Sequence, residues 1–411
     1  MDAMLGFDDP SLPLAVVVAA TRWEEPPRMR HDVTRQLMRW LNVLYVEFSP
    51  DPRHRDRFGF RRHDPRMIAY TANPHLSWPI RLYANDPMSH GVVNRRFVAD
   101  IMAAVAAVRP PGLPLLFNFV YDFHEIMRRT EFAYKAYICY DEFPKMWRRA
   151  KRPNALKFRY QSRLFQGYEN QVARGADRCL ASHQPLVDKL RPLNHRTDLL
   201  LHAHEFEAPP AQSHLDAHGR TRVAYMGHIT YNLMLPWLDV VLAQPDMELY
   251  LIGPVLRFDV ERYAAHPGFT HVPPLTGQPL LDKMAEMDVL VMPYDPAIPE
   301  CHVQTASNKF FQYVAAGRPV VISDMPHYIA MPAGVIYRAR TADEFVVQIR
   351  RAHAEDCDEF RRLRARIAAE NTWDKRGDQL FDTIRRDMGE RFPLTRESER
   401  ETTNHANGSE R

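Results

Sequence analysis

Short runs of almost wholly apolar residues recur along the chain, and between them apolar residues return every three or four positions. Leu14 to Ala19 (LAVVVA) sets the pattern, and Val43 to Glu47, Met67 to Tyr70, Leu115 to Phe119, Ala136 to Tyr140, Arg178 to Ala181 and Asp198 to Leu201 follow it through the first half. Runs of this length and composition predict strands, and the periodic stretches between most of them predict helices. Since a run such as LAVVVA does not alternate apolar with polar residues, both faces of its sheet must be covered, as in a parallel sheet flanked by helices.

A second series is more regular. Strands are predicted at Val223 to Met226, Glu248 to Ile252, Phe269 to Val272, Val289 to Met292, Pro319 to Ile322 and Gly334 to Tyr337, with helical periodicity at Leu235 to Ala243, Pro279 to Met287, Ser307 to Ala316 and Thr341 to His353. Strict strand–helix alternation implies right-handed crossovers and an α/β doubly wound, Rossmann-like sheet, whose ligand sits beyond the carboxyl ends of the strands. The segment Ala208 to Arg220 (APPAQSHLDAHGR) is polar and rich in Pro and His, so it reads as a linker between an N-terminal domain (1–207) and a C-terminal one (221–391). Residues 392–411, almost devoid of apolar side chains, are expected to be a disordered tail.

Composition narrows the functional classes. A chain of 411 residues exceeds the roughly 250–300 at which one hydrophobic core stops growing, so two domains with an interdomain cleft are expected. A net charge of +3 does not by itself argue for nucleic acid, and no helix-turn-helix, RNP or zinc-finger pattern accompanies the basic residues. The four cysteines, Cys139, Cys179, Cys301 and Cys357, stand far apart without a C-x-x-C pair, which argues against a metal knuckle or a disulfide framework and suits a reducing cytoplasm. No apolar run approaches the roughly 20 residues of a membrane span. The apolar start, Leu12 to Ala20, lacks a basic leader and reads as a buried strand.

The chemistry concentrates in Val289 to Ile322, which passes from a buried strand through a long polar loop into a helix and on to another strand. Ser307 is placed to cap that helix, whose unpaired N–H groups and positive dipole end suit a diphosphate, and Lys309 adds a full positive charge in the first turn. The alternative reading of Lys309 is a solvated surface lysine.

The stretch Asn308-Lys309-Phe310-Phe311-Gln312-Tyr313-Val314-Ala315-Ala316-Gly317-Arg318-Pro319-Val320-Val321 resembles the K-L-F-E-Y-x-A-x-G-K-P-V-V element of bacterial polysaccharide glycosyltransferases with two facing Rossmann-like domains, the GT-B type. Tyr225-Met226-Gly227, Leu251-Ile252-Gly253-Pro254 and Met287-Asp288-Val289 fit the same pattern, and Tyr140-Asp141-Glu142 and Glu169 to Ser182 fit it more weakly. The resemblance implies a nucleotide-sugar donor, UDP-linked, and a lipid-linked saccharide or polysaccharide acceptor, with no cofactor or metal. By the same resemblance Gly227, His228, Ile229, Tyr294, Ser307, Asn308, Lys309 and Gln312 line the donor site. Retaining members carry two glutamates where this chain has Gln304 and Gln312. Their loss points to an inverting branch, and the donor loop is similar to that of the xanthan glucuronosyltransferase, an inverting enzyme, and to that of teichuronic-acid-type glycosyltransferases.

An inverting transfer needs a general base for the acceptor hydroxyl and a stabiliser for the departing diphosphate. Lys309 is the expected stabiliser. Asp141 is the first choice for the base, followed by Asp122 and His124 in Tyr121-Asp122-Phe123-His124; each acid can instead be a helix N-cap. Between Glu142 and Glu169, eight basic residues, among them Arg148, Arg149, Lys151 and Arg152, are interleaved with Trp147, Phe158, Tyr160 and Phe165. This stretch reads either as a peripheral contact with an anionic membrane at the inner face of the cell or as a solvated helical face. Two other functions suit the same fold: a sugar-nucleotide epimerase and a catalytically silent nucleotide-sugar-binding subunit. A dehydrogenase and a P-loop kinase are disfavoured, because neither G-x-G-x-x-G nor G-x-x-x-x-G-K-[ST] occurs.

Overall fold

A computed structural model of the chain describes residues 6–48, 58–73, 89–146, 155–206, 219–256 and 258–392. The expected linker lies almost wholly outside these residues, as does nearly all of the expected tail. The chain divides into two compact units: one comprises residues up to 182 with 186–200 and those from 377 onward, and the other 183–185 with 201–376.

In the first unit the apolar runs form strands β1 (Leu14–Val18), β2 (Asn42–Phe48), β4 (Met67–Ala72), β5 (Leu115–Asn118), β6 (Tyr134–Cys139), β7 (Arg178–Ala181) and β8 (Thr197–Leu199). An additional strand, β3 (Gly59–Asp64), extends the sheet at one edge, giving the order β3-β4-β2-β1-β5-β6-β7-β8. Every pairing is parallel except β3 with β4. The sequence GFRRHD gives no apolar run, so periodicity does not reveal β3. It is fixed by tertiary partners, as Arg61 donates to Thr71 Oγ1 at 2.8 Å and pairs with the fully buried Glu47. All five residues of β1 are buried, as a strand covered on both faces requires. Helices α1 (Met29–Leu37), α2 (His90–Ala107), α3 (His124–Arg129), α4 (Phe143–Met146), α5 (Ala155–Gly175) and α6 (Gln184–Leu190) connect the strands.

The second unit holds β9 (Thr221–Met226), β10 (Met247–Ile252), β11 (Phe269–Val272), β12 (Val289–Met292), β13 (Val320–Ser323) and β14 (Ile336–Ala339) in the order β11-β10-β9-β12-β13-β14, all parallel. Numbered within the unit, this is the order 3-2-1-4-5-6 of a doubly wound nucleotide-binding sheet. Helices α7 (Leu235–Leu242), α8 (Gly277–Ala285), α9 (Pro299–His302), α10 (Asn308–Ala315), α11 (Ala342–Glu355) and α12 (Asp358–Ala369) accompany it. The last strand starts two residues later than expected, because the ladder with β13 opens on Val320 and Ile336. The final helix, α13 (Trp373–Met388), follows the second unit in sequence, but from Gly377 it belongs to the first. There Phe381 stacks on Trp40 with ring centroids 4.3 Å apart, and Asp387 accepts from Arg178 Nε at 2.5 Å and from Tyr134 at 2.8 Å.

Candidate functional site

In the second sheet the direction of strand succession reverses between β9 and β12, the position where such sheets open a crevice for ligand. The two strands pair only at Val223 with Val289 and Ala224 with Leu290. Beyond those residues the Tyr313 hydroxyl takes over the ladder's hydrogen bonds, accepting from Met226 N at 2.7 Å with Val291 O 3.4 Å away. Helix α10 is thereby pinned, through Tyr313, to the carboxyl end of the switch point. Ser307 caps this helix, its side chain accepting from Phe310 N at 3.4 Å. Phe310, Phe311, Tyr313 and Val314 are buried beneath it, leaving Asn308 exposed and Lys309 half-exposed.

Lys309 is held by aromatic groups and not by acids. Its Nζ donates to Tyr294 Oη at 2.9 Å and lies 5.5 Å from the Tyr294 ring centroid and 5.7 Å from that of Tyr225. The two hydroxyls are 3.3 Å apart, and Tyr225 donates to His228 O at 3.0 Å. Burial pushes both phenols well above the usual range, so they remain neutral. Among the described residues no carboxylate lies within ion-pair distance of Lys309. Gly227, with φ of 126°, leaves room for the lysine: a Cβ there would meet Lys309 Cε at 2.0 Å. Gly253, with φ of 132°, lets the end of β10 approach Gly227, whose carbonyl oxygen would lie 2.3 Å from a Cβ at 253. Both glycines end adjacent strands next to the switch point.

The remaining residues expected at the donor site divide. His228 is exposed beside Gly227. Ile229 is wholly buried and its N–H is bonded to Pro254 O at 2.9 Å, so it faces the core and offers a ligand nothing. Tyr294 is also buried, and acts as the floor under Lys309. Gln312, three positions beyond Lys309, donates from Nε2 to both carboxylate oxygens of the exposed Glu205, at 2.9 and 3.0 Å. A carboxylate therefore stands beside the amide after all, supplied from another part of the chain. Gln304 has a buried Oε1 without a hydrogen-bond partner among the described residues.

Two histidines complete this region. His183 accepts from Thr305 N through Nδ1 at 3.2 Å, and His202 lies 5.7 Å from it, ring to ring. Burial pushes His183 down to about 3. Burial, then the charges of Arg376 and Lys309, push His202 down to about 4. Both are neutral near pH 7, so the cationic character of the site rests on Lys309 and Arg376. Tyr313 was detectable in the sequence, one helical turn from Lys309 on the same face. Glu205, His183 and His202 carry no local signal.

In the first unit, Asp141 follows β6 at the carboxyl edge of the sheet, and Glu142 N donates to its Oδ1 at 2.8 Å. A buried network fixes this turn: Lys189 Nζ lies 2.5 Å from Glu142 Oε1 and 2.6 Å from Glu169 Oε2. Asp122 is engaged differently, with Oδ2 3.1 Å from His90 Nε2. Burial alone would pull the His90 pKa down, but the Asp122 carboxylate outweighs it and leaves it raised. His124 is buried, stacked on Tyr168 at 4.7 Å, and burial lowers its pKa. Arg148, Arg149, Lys151 and Arg152 lie outside the described residues. Among the described residues no cluster of His, Cys, Asp or Glu is built to hold a metal ion, and no helix is long and apolar enough to cross a membrane.

No family model matches the sequence, and no curated protein matches it. Solved structures do. One is an E. coli trehalose-6-phosphate structure bound with UDP-2-fluoro glucose, at 10% identity and TM-score 0.62, covering 90% of this chain and 98% of that one. Another is a trehalose-6-phosphate synthase studied for glycosyl transfer with retention, at 11% identity and TM-score 0.60, with 90% and 99% covered. A third is WaaG, a glycosyltransferase involved in lipopolysaccharide biosynthesis, at 10% identity and TM-score 0.58, with 90% and 99% covered. With two parallel Rossmann-like sheets in one chain and near-complete mutual coverage of these structures, the protein has the GT-B glycosyltransferase fold.

Proposed function

We propose that the protein is a nucleotide-sugar-dependent glycosyltransferase that moves a sugar from a UDP-linked donor to a lipid-linked or polysaccharide acceptor with inversion. The observation that carries this reading is Lys309: a cation at the switch point, beside a capped helix N-terminus and without a carboxylate partner among the described residues, is suited to a diphosphate. In the proposed reaction the acceptor hydroxyl oxygen forms a bond to the anomeric carbon. The bond from that carbon to the β-phosphate oxygen breaks, the hydroxyl proton passes to Asp141, and the nucleoside diphosphate leaves as an anion neutralised by Lys309. UDP as the nucleotide is supported by the UDP-sugar bound in one structural neighbour. Inversion is supported by Gln304, an amide that cannot act as the first acid of a retaining site. Fold leaves the stereochemistry open, since a neighbour transfers with retention.

The direct test is a labelled UDP-sugar incubated with bacterial membrane lipids, alongside a thermal titration with UDP. Label entering lipid and a melting temperature that rises with UDP are the expected results. Label in a free isomerised sugar makes the protein an epimerase, and UDP binding without turnover makes it a silent subunit.

Membrane contact belongs to the same proposal. Helix α5 carries the second half of the basic stretch and leaves Leu156 80% and Tyr160 52% exposed one turn apart, with Arg159 and Arg163 exposed beside them. An apolar and aromatic face ringed by cations suits an anionic lipid surface. Changing Arg148, Arg149, Lys151 and Arg152 to Glu should abolish co-sedimentation with anionic vesicles while UDP still raises the melting temperature. Undiminished vesicle binding would locate any attachment elsewhere.

A further inference from the structure

The first unit has its own switch point, between β1 and β5. Over it lies Arg30, in the first turn of α1 and only 2% exposed. Its Nη1 donates to the Tyr140 hydroxyl at 2.5 Å, and its guanidinium carbon stands 5.7 Å from the Tyr140 ring centroid. Its Nε and Nη2 are buried and have no hydrogen-bond partner among the described residues. These two nitrogens share one edge of the planar group, the edge that grips a carboxylate or phosphate through two parallel N–H···O bonds.

The surroundings leave the same gap. The Tyr45 hydroxyl on β2 and Thr21 Oγ1, just beyond β1, are buried side by side, and neither has any other hydrogen-bond partner among the described residues. Among the described residues no carboxylate is within ion-pair distance of Arg30. Glu47, the buried acid on β2, is committed to Arg61, to Thr71 Oγ1 at 2.6 Å and to Trp23 N at 3.0 Å. A buried charge is ordinarily paired, and one left with most of its donors unused is costly. Here the unused donors come from the loop after β1, from β2 and from α1, with Tyr140 closing the far side after β6. Thr21, Arg30 and Tyr140 stand at the carboxyl edge of the sheet, where a doubly wound fold binds ligand, and Arg30 is close enough to Tyr45 for its charge to act on the phenol.

We propose that Arg30, Tyr45 and Thr21 form an oxyanion site, with the Nε–Nη2 edge of Arg30 gripping two oxygens of a phosphate or carboxylate and the two hydroxyls donating to it. The site is closed over in this structure, so a bound oxyanion is shielded from water, where a fork pairing is strongest. That an oxyanion binds stands on this geometry alone. That it belongs to the acceptor, as a phosphoryl group or the carboxylate of an acidic sugar next to the proposed base Asp141, rests on the function proposed above.

The experiment uses the full chain carrying Lys309→Ala, so that the cation of the second unit does not contribute, and titrates inorganic phosphate and glucuronate separately by calorimetry. Saturable binding of at least one is expected. Phosphate alone identifies a phosphoryl-bearing acceptor, glucuronate alone an acidic sugar, and both a site that reads any oxyanion. Adding Arg30→Gln should weaken binding at least tenfold, and adding Tyr45→Phe several-fold with the fold retained. Binding of neither anion, or binding unaltered by Arg30→Gln, overturns the proposal. If Arg30→Gln does not fold, Tyr45→Phe decides: unaltered affinity overturns it as well. UDP titrated into the chain with Lys309 intact tests the function reading separately, so failure of one is not failure of the other.

Discussion

Replacing Asp141 with Asn is expected to lower turnover by roughly 100-fold or more, about 2.7 kcal/mol of transition-state stabilisation, while donor affinity stays unchanged. The amide keeps the shape of the side chain and an oxygen for Glu142 N, which donates to Asp141 Oδ1 at 2.8 Å. It cannot take the acceptor proton. The turn itself should survive, because it is fixed by Lys189 bridging Glu142 and Glu169 and not by Asp141 alone. Asp122 supplies the contrast. Its carboxylate is occupied by His90, so Asp122→Asn should cost stability and leave turnover within a few-fold of wild type. His124, neutral and stacked on Tyr168, should likewise tolerate Gln. Steady-state kinetics with paired donor-binding measurements on the three variants decide the assignment. If Asp122→Asn or His124→Gln abolishes transfer while Asp141→Asn stays active, the base was misassigned. Should all three remain active, the inverting mechanism proposed here fails.

Lys309→Ala is expected to reduce turnover at least tenfold, a loss of about 1.4 kcal/mol or more, with the fold intact. It should also weaken UDP binding. Among the described residues Lys309 makes no ion pair that a neutral replacement would strand, and the Tyr294 hydroxyl to which it donates keeps Tyr225 as a neighbour. The fold should therefore be indifferent to the change, as circular dichroism and the melting temperature without ligand can verify. Turnover and UDP affinity both like wild type would remove Lys309 from the mechanism and return it to the status of a surface lysine.

What the sequence determined by itself is the succession of elements and the chemistry of near neighbours. Apolar runs such as Leu14–Val18 and Val289–Met292 report burial on both faces, and two-faced burial with alternating helices leaves few alternatives to a doubly wound parallel sheet. Ser307 capping the helix that carries Lys309 was legible for the same reason, since a cap and the first turn it serves lie within a few residues of each other. Only the tertiary structure decided which side chains meet across the chain. Glu205 reaches Gln312 over 107 residues of sequence and Arg30 reaches Tyr140 over 110. The polar strand β3 joins the sheet through Arg61 and Glu47, and the last helix returns from Gly377 to the first unit. Periodicity records which side of an element is buried, not what is buried against it. Pairings between distant residues leave no mark in either partner's local sequence, so the carboxylate beside Gln312 and the unused edge of Arg30 became visible only once the chain was folded.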